Sequence, residues 1–434
     1  MKKILYNTSP LIFLLIIFNL IFTRSFVGLE VLGFRLGEYI VLFGFIALIF
    51  LTFFYLRFKP SNEVRVITII FIYFIFQLIF TRANITNTYT FKAASFIGMV
   101  SFFYLGREFY HEQLYVRKMR QFLPLLFPII YLFGSSVYPN FLSTFFIRFS
   151  DKFEFIKASD ILMAVIVIVF YFNVFESKKW NHFFIFIIIP AFLPILLYLS
   201  RGSFVALTVF FFMELFSIRK DLFSDIRKTF VYALIGFFIF IFSTLNIYGN
   251  LSFEKSNPLM NAELEKSQTE VLQENLQDLL ERRNYVGVIF SLYIDNGTLK
   301  STDGTLNWRL DIWQDLLADI TKNNKNIFGY GYNSILSVMT DPSEPGRMGS
   351  DGMNENIHNY FLNIFARGGF VLLFLFLYLH FIFVKKWNFI YKNYRLTNFI
   401  IPLLIASFFD VSMEGVQFPL SYYFFIGTFL KLKL

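Results

Sequence analysis

The chain has 434 residues, of which 56% are hydrophobic and only 16% charged, with a formal net charge of +9. It contains no cysteine, which excludes disulfide bonds, thiolate metal sites and a cysteine nucleophile. The basic residues lie mainly in short loops between apolar segments. Membrane topology and anionic lipid explain this placement better than a nucleic-acid partner does.

The apolar residues form runs of about 15 to 20, the length that crosses a hydrocarbon core of roughly 30 Å. Because the runs are unbroken rather than short and alternating, they favour helices over a closed barrel. They predict an all-α polytopic membrane protein with about twelve transmembrane helices. The predicted spans are residues 10–27, 37–56, 66–80, 93–106, 122–138, 161–175, 182–200, 203–218, 229–248, 369–384, 398–411 and 420–430.

The charges of the short loops predict the orientation of the helices, because basic residues accumulate on the cytoplasmic side. One side carries 21 basic residues in its short loops and termini, and the other side carries eight. Both termini are therefore expected in the cytoplasm. The eight basic residues of the outer side are Arg24, Arg35, Arg82, Lys92, Arg148, Lys152, Lys157 and Arg201.

One long polar segment, residues 249–368, is predicted to form a large, mainly helical extracytoplasmic loop domain. Residues 261–283 and 308–320 each carry an apolar helical stripe opposite a polar face. Residues 328–332 are predicted to form a turn, and the Gly- and Pro-containing residues 341–356 a flexible stretch that would serve as a lid. The chain is therefore divided into N-terminal helices, residues 1–181, and a region of residues 182–434 that includes this domain.

Among the histidines, His358 alone is predicted to face the outer side, where the polar loop becomes an apolar helix. An imidazole, with an ordinary pKa of about 6.5, can take a proton from a sugar hydroxyl. The neighbouring Asn356, Asn359 and Asn363 are candidates to orient that sugar. The same position also suits an interfacial histidine that only hydrogen-bonds a loop.

Two arginines on the outer side are candidates for binding an anion. Arg201 lies in a short turn between two spans, where a cation is costly unless an anion meets it. The guanidinium of Arg309 can donate in parallel to two oxygens of a diphosphate. The structural alternatives are snorkelling for Arg201 and an ion pair with Asp311, Asp315 or another acid of the loop for Arg309.

Weaker candidates are Arg283, at the end of an acidic helix where cations need no special reason, and the pair Asp410 and Glu414. The two acids lie at the outer end of a span, where they would support the outer site or carry protons in a transporter. The sequence has no Gly-x-x-x-x-Gly-Lys, His-Glu-x-x-His or Asp-x-Asp motif. No metal and no cofactor is therefore expected.

Four segments, taken in order, resemble the O-antigen polymerase and ligase superfamily of bacterial envelope enzymes. They are Leu199-Ser-Arg-Gly-Ser203, Gly304-Thr-Leu-Asn-Trp-Arg-Leu-Asp-Ile-Trp313, Ile327-Phe-Gly-Tyr-Gly331 and His358-Asn-Tyr-Phe-Leu-Asn-Ile-Phe-Ala-Arg-Gly368. The resemblance covers about residues 184–419, and the six N-terminal spans agree with the family only in hydropathy.

The resemblance implies a glycosyltransferase of the C-type membrane architecture in the bacterial inner membrane, with the large loop periplasmic. Its donor would be an undecaprenyl-diphosphate-linked oligosaccharide, and its acceptor would be a glycan or lipid A-core. A chain-length regulator would be a candidate partner. Arg201 and Arg309 match the family's diphosphate-contacting arginines, and His358 matches its proposed base for the acceptor hydroxyl. Arg367 departs from the pattern, because many members have an acidic residue shortly before the glycine.

The sequence is compatible with several functions. A polymerase of O-antigen or another surface polysaccharide is favoured over an O-antigen ligase because the outer domain is large. A teichuronic, capsular or peptidoglycan polymerase is also compatible with the sequence. The alternatives of another class are a polysaccharide or lipid transporter and a non-catalytic scaffold, in which His358 and the two arginines would be dispensable.

Overall fold

A computed structural model describes residues 2–57, 61–109, 113–151, 156–176, 180–247, 292–295, 297–302, 304–340, 347, 357–410 and 412–432. The chain is an all-α polytopic membrane protein, and its described residues also form two short β-hairpins. Its helices are α1 (Lys2–Val27), α2 (Leu36–Arg57), α3 (Asn62–Phe80), α4 (Thr88–Met99), α5 (Phe102–Glu108), α6 (Leu114–Gln121), α7 (Leu126–Gly134), α8 (Asn140–Phe149), α9 (Ala158–Phe175), α10 (Asn181–Leu199), α11 (Arg201–Ser224), α12 (Ile226–Ile247), α13 (Gly304–Lys322), α14 (Tyr360–Tyr391), α15 (Leu396–Phe409) and α16 (Gln417–Lys431).

Among the described residues, eight helices are long and apolar enough to cross a membrane: α1, α2, α3, α9, α10, α11, α12 and α14. The other four predicted spans are also helical, but they are shorter or interrupted. The span predicted at residues 93–106 is divided between α4 and α5, and the other three correspond to Leu123–Gly134, α15 and α16. The interruption and the shorter lengths are the reason that only eight helices reach the length of a full span.

Two helices, α9 and α16, form the centre of the bundle. Every residue of α9 from Ala158 to Asn173 is buried, and the same holds for α16 from Gln417 to Leu430. A helix that is apolar on all sides is expected in the interior. The outer helices instead expose large apolar side chains, such as Phe53, Phe216 and Phe238, as expected for surfaces that face lipid.

A buried polar network joins α9, α11 and α15 within the bundle. The carboxylate of Glu214 in α11 is fully buried and accepts from Arg395 Nη2 at 2.8 Å, Asn398 Nδ2 at 2.8 Å and Asn173 Nδ2 at 3.0 Å. Arg395 also donates to the Asn173 carbonyl at 3.0 Å. Burying a carboxylate is costly unless it is paired and hydrogen-bonded, so the network fixes α11 against α15.

The described part of the predicted outer loop packs on the beginning of α14. It contains a hairpin of β1 (Leu292–Asp295) and β2 (Thr298–Ser301), followed by α13. The amphipathic helix predicted at residues 308–320 is confirmed as part of α13, whose Ile312, Leu316 and Ile320 are buried. The hairpin was not predicted. The predicted helix 261–283 lies outside the described residues, as does the flexible stretch 341–356 apart from Arg347.

Arg347 is itself buried against the loop structure. Its Nη2 pairs with the Asp315 carboxylate at 2.6 Å, and its Nη1 donates to the Val338 carbonyl at 3.0 Å. Asp315, one of the acids considered as an ion-pair partner of Arg309, therefore pairs with Arg347.

Candidate functional site

Four helices meet at the C-terminal end of α15, at Phe408 and Phe409. The ring of Phe408 lies 5.6 Å from that of Trp313 in α13 and 6.2 Å from that of Phe361 in α14. The backbone of Gly202 in α11 packs on Phe409. This contact region brings together the three segments that carry Arg201, Arg309 and His358.

Arg309 is positioned by a hydrogen bond to the backbone of α15. Its Nη1 donates to the carbonyl oxygen of Phe409 at 2.8 Å. A carbonyl at the end of a helix carries partial negative charge, so it attracts a guanidinium. One edge of the planar group is thereby held, which fixes the plane in which its other donors lie.

Arg201 is the first residue of α11, which begins at a bend in the chain. Ser200 is the N-cap, and its hydroxyl accepts from the Ser203 amide at 3.5 Å. Gly202 permits the close approach to α15, because a Cβ at this position would lie only 2.6 Å from Phe409 Cβ. The backbone of the Arg201 segment is therefore held against the same residue to which Arg309 donates.

His358 precedes the first turn of α14 and has a left-handed backbone, with φ of 56°. Such a conformation is uncommon in residues other than glycine and costs about 1 kcal/mol or more, so the surroundings must hold it. The imidazole lies 5.1 Å from the ring of Trp308, and the next carbonyl back, that of Ile357, accepts from Trp313 Nε1 at 2.7 Å. The residue is thus fixed by α13 on both its ring and its backbone.

The environment of His358 keeps its imidazole neutral. Burial is the largest cause and the nearby Arg309 the second, and together they lower the pKa of His358 to about 4. Lys157 acts in the same direction, whereas Asp410 opposes it. The pKa of about 6.5 expected for an unperturbed imidazole is therefore wrong for this site. Nδ1 is fully buried and has no hydrogen-bond partner among the described residues, which leaves Nε2 as the ring atom available to a substrate.

Asn359 is the N-cap of α14, so its side chain has a structural role in addition to its candidate role of orienting a sugar. Its Oδ1 accepts from the Leu362 amide at 3.1 Å, and the side chain is buried. Its Nδ2 has no hydrogen-bond partner among the described residues and can therefore donate to a substrate. Asn363, one turn later, is also buried.

Arg367, the residue at which the sequence departs from the family pattern, is buried and structural. Its Nη1 donates to the carbonyls of Gly331 at 3.0 Å and Ser334 at 2.9 Å, and its Nη2 donates to the Tyr89 hydroxyl. Both Gly329 and Gly331 have positive φ, at 69° and 74°, as a tight turn requires. The positive φ values agree with a bend at the residues 328–332 predicted as a turn, and Arg367 ties this segment to α14 and to the N-terminal half of the chain.

A cavity of about 240 Å³ is linked to the surroundings of His358 by Asp410, which lines the cavity and whose charge acts on the imidazole. Glu414 also lines this cavity, and its carbonyl accepts from Ser95 Oγ at 3.5 Å. We call it the basic cavity. Its charged lining residues are Arg24, Arg35, Lys92, Lys157, Arg367, Glu38, Asp410 and Glu414.

The basic side chains of this cavity were missed as site residues. In the sequence, Arg24, Arg35, Lys92 and Lys157 are recognisable only as loop charges. One signal nevertheless points to them, because they lie on the side where the distribution of charges predicts few cations. Of the remaining candidates, Arg283 and Asn356 lie outside the described residues. Among the described residues, His, Asp and Glu side chains form no group of three that would hold a metal ion.

Comparison with known proteins bears directly on this region. A family model described as O-antigen ligase matches residues 184–377, which include Arg201, Arg309 and His358. A search of curated proteins found no match. The family and the apolar helices indicate a multi-pass protein of the bacterial inner membrane. Residues 184–377 therefore match the O-antigen ligase domain, and this match supports a membrane glycosyltransferase of the O-antigen ligase and polymerase type.

Proposed function

We propose that this protein is a polymerase of O-antigen or a related surface polysaccharide. It transfers a glycan from undecaprenyl diphosphate to a sugar hydroxyl of a second glycan, on the outer face of the inner membrane. The observation that carries the proposal is the convergence of His358 and Arg309 beside Phe409 and Asp410. A neutral imidazole, two arginines and an adjacent polar cavity are the groups that such a transfer needs.

In the proposed reaction, His358 acts as the general base. Its Nε2 accepts the proton of the acceptor hydroxyl while the hydroxyl oxygen attacks the anomeric carbon of the donor. A new glycosidic C–O bond forms, and the C–O bond to the diphosphate breaks on the opposite face. The configuration at the anomeric carbon is inverted, and undecaprenyl diphosphate leaves with the bonding electrons. The neutral state of the free imidazole supports this role, because a protonated ring cannot accept the proton.

Arg201 and Arg309 are proposed to hold the diphosphate. Negative charge grows on the leaving oxygen as the bond breaks, and a prepositioned guanidinium lowers the free energy of that state more than that of the ground state. The bond from Arg309 to the Phe409 carbonyl supports this assignment, because it prepositions the guanidinium before substrate binds. The donor already stores the required energy in its phosphate ester, so no metal and no nucleotide is part of the proposal.

The ligase reaction is the second candidate, and the description of the matching family favours it. The chemistry at the anomeric carbon is the same in both reactions, and only the acceptor differs. The large loop at residues 249–368 supports the polymerase, since a growing chain has to be held while units are added. A chain-length regulator would be a partner of the polymerase.

An assay with purified protein in detergent separates these functions. The substrate is a lipid-diphosphate-linked oligosaccharide, presented alone or with lipid A-core, and the products are separated by length. The polymerase converts the lipid-linked unit alone into a ladder, with and without excess chelator. Products that form only with lipid A-core would establish the ligase instead. Transport across vesicle membranes without any new glycosidic bond would remove both reactions.

A further inference from the structure

The basic cavity is built mainly from parts of the chain that the family match does not cover. The match spans residues 184–377, whereas four of the five basic lining residues are Arg24, Arg35, Lys92 and Lys157. They come from the end of α1, the segment just before α2, the beginning of α4 and the segment just before α9. Arg201, Arg309 and His358 are not among the residues that line it. The cavity is therefore adjacent to the donor arginines but is formed by different side chains.

The charges in this cavity are not balanced by its own carboxylates. Five basic and three acidic side chains line it. Two of the bases are engaged by the protein, because Arg35 pairs with Asp151 and Arg367 donates to backbone carbonyls and to Tyr89. The charges of Arg24 and Lys157 lie close enough to act on the buried Asp160 carboxyl.

Among the basic residues that line the cavity, Lys92 gives the strongest indication of a ligand. It is half-buried at the beginning of α4, and it makes no hydrogen bond or ion pair with any residue in the described part of the chain. A partly buried ammonium group in a membrane protein is costly to desolvate unless an anion meets it. A ligand that supplies negative charge would offset this cost.

The rest of the lining has the character of a carbohydrate site. The aromatic residues Tyr89 and Phe96 line it, as do Asn363 and Gln417, whose amide groups can both donate and accept. Asp410 lies between the basic cavity and His358, since it lines the cavity and its charge acts on the imidazole. A glycan held here would therefore extend toward the proposed base.

We infer that the basic cavity binds an anionic group of the acceptor glycan, either its diphosphate or the carboxylate of an acidic sugar, with Lys92 as a direct contact. This inference rests on the proposed function for the identity of the acceptor. Diphosphates and sugar carboxylates share the same recognition chemistry, which is several oxygens that accept from ammonium and guanidinium groups. The donor diphosphate occupies Arg201 and Arg309, so the two substrates bind at different cations.

Direct binding tests the inference without requiring turnover. Inorganic pyrophosphate and D-glucuronate are titrated calorimetrically into detergent-purified wild type, Lys92→Ala, Lys92→Glu and Lys92→Arg. We expect Lys92→Glu to weaken binding of at least one probe about tenfold or more, and Lys92→Arg to retain it, because a charge-assisted contact is lost in one and kept in the other. If only pyrophosphate binds more weakly, the anionic group is the diphosphate of the acceptor. If only glucuronate binds more weakly, the anionic group is the carboxylate of an acidic sugar.

Two further variants keep the result interpretable. Arg148→Ala removes an exposed basic residue that does not line the cavity and should bind both probes like wild type. Arg309→Lys should leave the Lys92-dependent binding intact. Equal affinities for both probes in wild type and Lys92→Glu would overturn the inference. If binding depends on Lys92 but the protein forms no glycosidic bond, the result would contradict the proposed function and still support the anion site.

Discussion

The guanidinium of Arg309 donates to the backbone carbonyl of Phe409 at 2.8 Å, across 100 positions of sequence. Because Phe409 also receives the backbone of Gly202, one residue at the end of α15 aligns two segments that carry candidate diphosphate ligands. The next residue, Asp410, acts on His358. The end of α15 therefore supports both the proposed diphosphate ligands and the proposed base.

Replacing Arg201 or Arg309 by lysine should reduce kcat/KM by about tenfold or more, corresponding to about 1.4 kcal/mol or more of lost transition-state stabilisation. Lysine keeps the charge but cannot donate in parallel from a rigid plane. For Arg309, the variant also weakens the bond that orients the group. The rates are measured with purified protein and lipid-linked oligosaccharide, and Arg148→Lys serves as the exposed control. Full activity of both lysine variants would show that charge alone is sufficient.

His358→Ala should insert into the membrane and bind donor but lose about 100- to 10,000-fold in turnover, the usual contribution of a positioned base. Because φ at this position is 56°, alanine also introduces backbone strain. His358→Asn is the better probe, since asparagine tolerates the left-handed region and cannot act as the base. We expect it to be as inactive as alanine but better folded in a thermal unfolding assay. Turnover near the wild-type rate in either variant contradicts the assignment.

The pH profile should differ between free and substrate-bound enzyme. A base is active when deprotonated, so activity falls as pH drops through its pKa. In the free protein the pKa of His358 is about 4, with burial as the first cause and Arg309 as the second. A bound diphosphate offsets the charge of Arg309 and raises this pKa. The acid limb of kcat should therefore lie at higher pH than that of kcat/KM. Coincident limbs, or a limb that persists in His358→Asn, would contradict this explanation.

Gly202→Ala should impair activity, because the new methyl group would lie 2.6 Å from Phe409 Cβ and force α11 away from α15. Overpacking of this kind typically costs about 1 to 3 kcal/mol. We expect a higher KM for the donor and a lower unfolding temperature. Gly304→Ala is the matched control, since nothing lies within 4 Å of a Cβ placed there. Equal effects of the two substitutions would show that the contact with Phe409 is unimportant.

The predicted orientation is testable because the chain has no cysteine. Single cysteines at Asn296 and Lys386 should be labelled on opposite sides in intact spheroplasts, with an impermeant thiol reagent reaching only position 296. The prediction derives from the 21 basic residues on one side against eight on the other. Labelling at position 386 but not at 296 would reverse the topology.

Much of the fold was predictable from the sequence because the helices are long, apolar and separated by charged loops. Even the predicted start of a span at Gly369 coincides with a break, since α14 is interrupted there by non-helical backbone. The hairpin of β1 and β2 was missed, although the pair Asn-Gly at 296–297 is a recognised hairpin signal. Its strands are short and carry no clear alternation, so no periodic pattern drew attention to them.

The site was only partly predictable, for a physical reason. Arg201, Arg309 and His358 lie in recognisable local motifs, whereas Lys92 and Lys157 belong to the basic cavity through tertiary packing alone. The lowered pKa of His358 was equally hidden, because burial by α13 and α14 cannot be read from residues 354–363. The sequence shows Arg367 only as an exception to the family pattern, whereas its bonds to Gly331 and Tyr89 join segments far apart in the chain.

The pairing of Glu214 with Arg395 constrains the order in which the protein is assembled. The two residues are separated by 181 positions, so the carboxyl leaves the ribosome long before its partner exists. During that interval α11 carries an acid for which the network offers only Asn173 as an already synthesised partner. An unpaired acid disfavours deep insertion into lipid. Stable docking of α11 therefore has to await the synthesis of α15, and biogenesis of the site ends with the C-terminal helices.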